Sequence, residues 1–197
     1  MADTGVDKKR RRFLIGATSA VGAVGVGAIA VPFIGSLTPS ARALAAGAPV
    51  EVDISKLEVG AMMSVEWQGK VVFVVNRTQE MLAKLPSIVP QLKDPESKES
   101  VQPTYADNEA RARDAEYLVM LGKCTHLGCA PKYRPEVAPA DLGADWKGGF
   151  YCPCHGSRFD ISGRVFKGAP AGTNMEIPPY YFKSDSMILI GENGATA

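Results

Sequence analysis

Cys124-Thr125-His126-Leu127-Gly128-Cys129 and Cys152-Pro153-Cys154-His155-Gly156-Ser157 hold every cysteine and histidine of the 197-residue chain. All six fall within 32 residues, too crowded for a disulfide scaffold, whose cysteines spread along a chain. Two thiolates and two imidazoles suffice for one metal centre, and two cysteines then remain to pair with each other. Gly128 and Gly156 let each loop turn tightly, and N–H groups in such loops can point at an anion or a sulfide. Three chemistries compete. One is a structural zinc site with two Cys and two His. Another is a pair of disulfides with incidental histidines. The third is a [2Fe–2S] cluster in which two His replace two Cys on one iron. Structural zinc loops present Cys-x-x-Cys or His-x-x-x-His spacings and need no neighbouring disulfide, so the third fits best.

Outward from these loops the pattern is one of short strands. Leu118 to Leu121 leads into the first loop as a buried strand, and Gly148 to Tyr151 leads into the second. Val50, Val52 and Ile54 alternate with Glu51 and Asp53, as on a half-buried strand. Met63 to Trp67, then Gln68-Gly69, then Lys70 to Val75 predicts a hairpin. Val165-Phe166, Met175 to Ile177, Tyr180 to Lys183 and Met187 to Ile190 supply further strands. Thr78 to Leu85 has room for one or two helical turns, and Pro86 to Pro103 predicts a surface loop. Asp94 to Glu99 reads as solvated. Asp107 to Ala115 predicts a short exposed helix, with Arg111 and Arg113 on its wet face. Trp67, Trp146, Tyr180 and Tyr181 read as packing residues. The fold class is mainly β: an antiparallel β-sandwich over 50–197, with a helical insertion at about 78–115.

The amino-terminal end is of another kind. Lys8 to Arg12 is a run of five basic residues, and Phe13 to Leu37 is 25 residues without a charge. About 20 apolar residues span a bilayer, so 13–37 predicts a transmembrane helix kinked or ended near Pro32. Basic residues stay on the cytoplasmic side, which puts 1–12 there and the body outside. Arg10-Arg11-Arg12-Phe13-Leu14 also matches a twin-arginine export signal, the route of folded cargo. Cleavage after Ala43 or Ala45 is the alternative to a retained anchor, but the apolar run exceeds the core of a signal peptide. Thr38 to Pro49, rich in Ala, Gly, Pro and Ser, predicts a flexible linker.

Composition narrows the function. Lys and Arg number 22 against 21 Asp and Glu, a net charge of +1, and the body carries no basic stripe, which excludes a general nucleic-acid binder. Hydrophobic content of 46% excludes wholesale disorder.

The two loops, with the basic start, anchor, linker and β-rich head, resemble the Rieske iron–sulfur proteins of quinol–cytochrome c reductases. The resemblance covers nearly the whole chain. It implies one [2Fe–2S] cluster in loops at about 122–132 and 150–160. Cys124 and Cys152 then resemble the thiolate ligands of the inner iron, and His126 and His155 the imidazole ligands of the outer one. Cys129 and Cys154 resemble the disulfide that ties the loops. Ser157 resembles a hydroxyl donor to a bridging sulfide, Leu127 an apolar shield, and Gly168-Ala169-Pro170 a covering third loop. Gly128 resembles a residue beside the cluster. Many members have Tyr where this chain has Phe159, which implies a potential below theirs.

The implied function is one-electron transfer from ubiquinol at a cytochrome b subunit to a c-type cytochrome, with His155 as quinol contact and proton acceptor. The implied setting is a dimeric complex in the bacterial inner membrane, with the head in the periplasm. The small Rieske subunit of a molybdenum oxidase, such as arsenite oxidase, is a second redox reading, and the zinc module is the non-redox one.

Overall fold

Gln68 and Gly69 both take positive φ, 52° and 68°, the turn whose twist matches that of the paired strands it joins. The hairpin it closes, β2 (Met62–Trp67) and β3 (Lys70–Asn76), pairs with β4 (Tyr117–Leu121) in an antiparallel sheet of order β2-β3-β4. Its pattern is read from the sequence: Val72, Val74, Leu118, Val119 and Met120 are fully buried. This is a computed structural model; it describes Gly5 and residues 7–194. Part of the basic start, residues 1–4 and 6, and the last three residues lie outside the described residues. Contacts divide the chain into two units, Met1–Ala45 and Ala46–Ala197.

The first unit is dominated by α1 (Lys8–Gly35), 28 residues and roughly 42 Å at 1.5 Å per residue. It starts ahead of Phe13 because Asp7 caps it: the Asp7 carboxylate accepts the N–H groups of Lys9 (2.9 Å) and Arg10 (3.2 Å). The basic run therefore winds into the first turns rather than preceding the helix. Pro32 lies within the helix and does not end it. The Thr18 hydroxyl donates to the Leu14 carbonyl at 2.6 Å, an internal bond of the kind a helix in lipid requires. Within the span read as a linker a short helix forms, α2 (Ala41–Ala46). Four of its six residues are alanine, and the Ser40 hydroxyl accepts the Ala43 N–H at 3.2 Å, a capping bond.

The second unit adds two more antiparallel sheets. β1 (Val50–Asp53), β8 (Tyr180–Ser184) and β9 (Met187–Ile190) pair in the order β1-β9-β8. β5 (Lys132–Arg134), β6 (Gly149–Tyr151) and β7 (Arg158–Asp160) form the third sheet, which carries the second loop. The Phe73 and Phe150 rings stack at 6.0 Å and join the β2-β3-β4 sheet to the third. The Tyr133 hydroxyl on β5 donates to the Gly60 carbonyl at 2.8 Å, and burial pushes its phenol up to about 12. Trp67 and Trp146 are buried, as packing residues are.

Four expectations fail for identifiable reasons. Val165-Phe166 and Met175–Ile177 form no strand; Val165 and Phe166 make only isolated bridges. The Met175 N–H goes to Gly163 and the Ile177 N–H to Val101, while the Glu176 carbonyl takes the Leu121 N–H. Three partners in three segments make no ladder. Pro86 to Pro103 is not all surface: after α3 (Gln79–Ala83), α4 (Leu85–Ile88) buries Leu85 and Ile88, and Leu92 follows them inward. Asp94 and Ser97 are buried, not solvated. Asp107–Ala115 is turns, not helix. Arg111, at φ 51°, is wholly buried, its guanidinium donating to Gln102 Oε1 (2.8 Å) and the Ser162 carbonyl (3.2 Å). Arg113 stacks 3.6 Å above the Tyr105 ring and donates to the Tyr180 carbonyl.

Candidate metal centre

The two cysteine loops close in the same way. In the first, the Cys124 N–H donates to the Cys129 carbonyl (2.8 Å) and the Gly128 N–H returns to the Cys124 carbonyl (3.0 Å). In the second, the Cys152 N–H donates to the Ser157 carbonyl (2.8 Å) and the Gly156 N–H to the Cys152 carbonyl (2.9 Å). Each loop thus needs a left-handed residue one place before its end, and Gly128 (φ 87°) and Gly156 (φ 77°) supply it. Equal turns put Cys124 and Cys152 in equivalent places. Both are buried, and both are free thiols. Cys129 and Cys154 form the disulfide between the loops, with Cα atoms 6.7 Å apart.

The imidazoles of His126 and His155 meet edge to face, their centroids 4.7 Å apart. His155 is exposed, whereas His126 is half-buried. The Nδ1 atom of His126 is buried and has no hydrogen-bond partner among the described residues. A buried polar atom left unpaired costs about 1–3 kcal/mol, unless a metal takes its lone pair. Desolvation pushes the Cys152 thiol up, opposed by backbone N–H bonds from Cys154 and His155. Such a thiol becomes a thiolate when a cation displaces its proton. Two buried thiols and two facing imidazoles fit the mixed ligation of a Rieske-type [2Fe–2S] cluster. The sulfurs of Cys129, Cys152 and Cys154 also lie within 4.8 Å of one another. Two of these three are already bonded together, so only Cys152 is free to ligate.

Residues around the donors fall into place unequally. Ser157 is wholly buried; its Oγ accepts the Ala171 N–H at 3.1 Å, and its own proton has no protein acceptor among the described residues. Phe159 is wholly buried in the apolar cluster that contains Cys124 and Cys152. Leu127 is 72% exposed, so this chain packs nothing over it. Pro170 is exposed at the crest of the third loop. Sequence reasoning missed how that loop is held. The Thr125 hydroxyl donates to the Thr173 carbonyl at 2.6 Å, so the loop touches the first cysteine loop through Thr173 and the second through Ala171.

The amino-terminal family described as Ubiquitinol-cytochrome C reductase Fe-S subunit TAT signal matches residues 1–40, and the family described as Rieske [2Fe-2S] domain matches residues 93–180. A ubiquinol-cytochrome c reductase iron-sulfur subunit from Allochromatium vinosum is 59% identical over 197 residues, covering 100% of this chain and 95% of its own length. The protein of the same name from Blastochloris viridis is 45% identical over 183 residues, 92% of each chain. Among solved structures, a chain of a hyperthermophilic respiratory Complex III aligns with a TM-score of 0.50 and 26% identity, over 89% of this chain and 98% of its own. Zinc-module and molybdenum-oxidase readings give way to this set. The chain belongs to the Rieske iron–sulfur subunits of ubiquinol–cytochrome c reductase, and its cofactor is their [2Fe–2S] cluster.

Proposed function

We propose that Cys124 and Cys152 hold one iron, that His126 and His155 hold the other, and that the head shuttles single electrons from ubiquinol at cytochrome b to a c-type cytochrome. The observation that carries this is the paired donor set: two free buried thiols beside two touching imidazoles, one with a buried nitrogen lacking a partner. When bound, the cluster supplies a one-electron acceptor whose histidine ligation favours a higher potential than four cysteines give. The protein's own groups do the rest. His155, the exposed imidazole, meets the quinol hydroxyl and takes its proton. Leu127, exposed beside His126, presents an apolar tip to the membrane-embedded partner.

In this reading α1 crosses the inner membrane once, with Lys8–Arg12 cytoplasmic and the head periplasmic. The segment 38–49 tethers the head and lets it move within a dimeric complex. Membranes containing the full chain, reduced with ubiquinol and followed by electron paramagnetic resonance, test it. The expected result is one unpaired spin per chain, lost on addition of oxidised cytochrome c. A cluster that quinol leaves oxidised would overturn the assignment.

Phe159 gives a second expected outcome. Its ring cannot donate a hydrogen bond to a ligand sulfur, and such a bond strengthens when the cluster gains negative charge. Phe159→Tyr should therefore raise the midpoint potential by roughly 40 mV, the one-electron equivalent of about 1 kcal/mol. Redox titration checks it. An unchanged or lower potential would show that the ring does not face the sulfur.

A further inference from the structure

Asn174 is buried, and its backbone N–H and both polar atoms of its side chain are engaged. Its N–H donates to Ser100 Oγ (3.1 Å) and its Oδ1 accepts the Val165 N–H (2.8 Å). Its Nδ2 donates to the Asp94 carbonyl (2.8 Å) and to Ser97 Oγ (2.8 Å). The grip on the other side is as complete. The buried Asp94 carboxylate accepts the N–H groups of Lys98 (2.8 Å) and Glu99 (3.1 Å) and the hydroxyl of Ser100 (2.8 Å). Ser97 holds a positive φ of 53° to close this turn. The segment 94–100 is thus folded around one carboxylate and clamped on one asparagine.

That asparagine ends the third loop. Three residues before it, the Ala171 N–H donates to Ser157 Oγ, and one residue before it the Thr173 carbonyl takes the Thr125 hydroxyl. Three residues of chain reach at most about 10 Å, so where Asn174 is fixed, Ala171 has little freedom. A hydroxyl has one proton and two lone pairs in fixed angular relation. When the Ala171 N–H occupies one lone pair, the Ser157 O–H is confined to the two remaining positions. A shift of Ala171 swings the proton away from whatever it addresses.

We propose that the 94–100 segment and Asn174 form a clasp that aims the Ser157 hydroxyl at the cluster. Asn174 and Ser100 are then positioning residues for the cluster's potential, although neither lies in a cysteine loop. The inference rests on the cluster lying between the two loops as proposed above. A clasp that merely supported the fold would lower stability without addressing Ser157 in particular, and this difference is measurable.

The experiment is a double-mutant cycle on the full chain in membranes. Ser100→Ala, Ser157→Ala and the pair are titrated by electron paramagnetic resonance. Hydrogen exchange of the peptide spanning 168–175 is followed in parallel. Ser100→Ala should speed exchange at Ala171 about tenfold, the loss of roughly one hydrogen bond. It should also lower the potential in the direction of Ser157→Ala. The pair should sit at the potential of Ser157→Ala alone, and Ser100→Thr, which keeps the hydroxyl, should restore the parent value. Shifts that add, or a potential unmoved while exchange speeds up, would overturn the proposal. Should Ser100→Ala fail to accumulate, Ser97→Ala removes one acceptor of Asn174 Nδ2 and is read the same way. A parent chain without iron and labile sulfide would overturn the cluster reading itself. The exchange data would still decide whether the clasp holds the loop.

Discussion

Cys124→Ala or Cys152→Ala is expected to abolish the cluster, while Cys129→Ala with Cys154→Ala leaves a cluster that assembles but is labile and lower in potential. The first pair are the free, buried thiols at equivalent positions of two equal turns. In the proposed ligation, removing either strips one thiolate from an iron, and only one other free thiol stands among the described residues. The second pair form the covalent tie between the loops, 25 residues apart in sequence. Closing a loop of that size stabilises by about 3.5 kcal/mol in the chain-entropy account. Its loss loosens the loops, so the N–H and O–H donors that favour the more negative, reduced cluster lose their aim, and water gains access to the cluster. Iron and labile sulfide per chain, with the paramagnetic signal, give the readout. Equal behaviour of all four cysteines would reverse the division between ligand and bridge.

Asp160→Ala should destabilise the head by about 3–5 kcal/mol, the range for breaking a buried ion pair. Asp160 is wholly buried, and its carboxylate accepts Arg164 Nε (2.7 Å), the Arg164 N–H (2.7 Å) and the Ser162 N–H (2.9 Å). Arg77 and Arg111 are buried nearby, and burial lowers both guanidinium groups to about 10, with Asp160 among the charges that pull them back up. Each also has one buried Nη2 without a partner among the described residues. Without Asp160 three buried cations lose a shared counter-charge. Asp160→Asn keeps the acceptor for the N–H groups and should cost less than Asp160→Ala. Denaturant unfolding of the purified full chain compares them. A loss below about 1 kcal/mol for Asp160→Ala would show that the charge is dispensable.

How much of this was legible depended on the range of the interaction. The hairpin at Gln68-Gly69 and the buried strand 118–121 follow from local pattern, and they stand in the structure. The four cysteines and two histidines stand out in the sequence because thiols and imidazoles are few and their spacing is local, and the structure pairs Cys129 with Cys154 and leaves Cys124 and Cys152 free. Arg111 was misread because alternating charge looks the same on a wet helix as on a chain whose arginine reaches carbonyls fifty residues away. Asn174 and Asp94 gave no signal at all: an amide and a carboxylate in polar, proline-punctuated stretches become a clasp only when residues 77–80 positions apart meet.

The strands of the third sheet are only three residues long each, well short of what holds together unaided. A sheet so small draws its order from whatever bolts its loops together. For this part of the molecule, inserting the metal and finishing the fold are one thermodynamic event, since metal binding free energy is folding free energy. The β2-β3-β4 sheet, with strands of five to seven residues, has enough ladder to form ahead of it. The order expected from this is scaffold first, then cofactor and last sheet together. It also gives a physical reason for a leader that addresses a translocase accepting finished cargo, because a chain threaded through unfolded would arrive with its smallest sheet still to be built and no iron supply beside it.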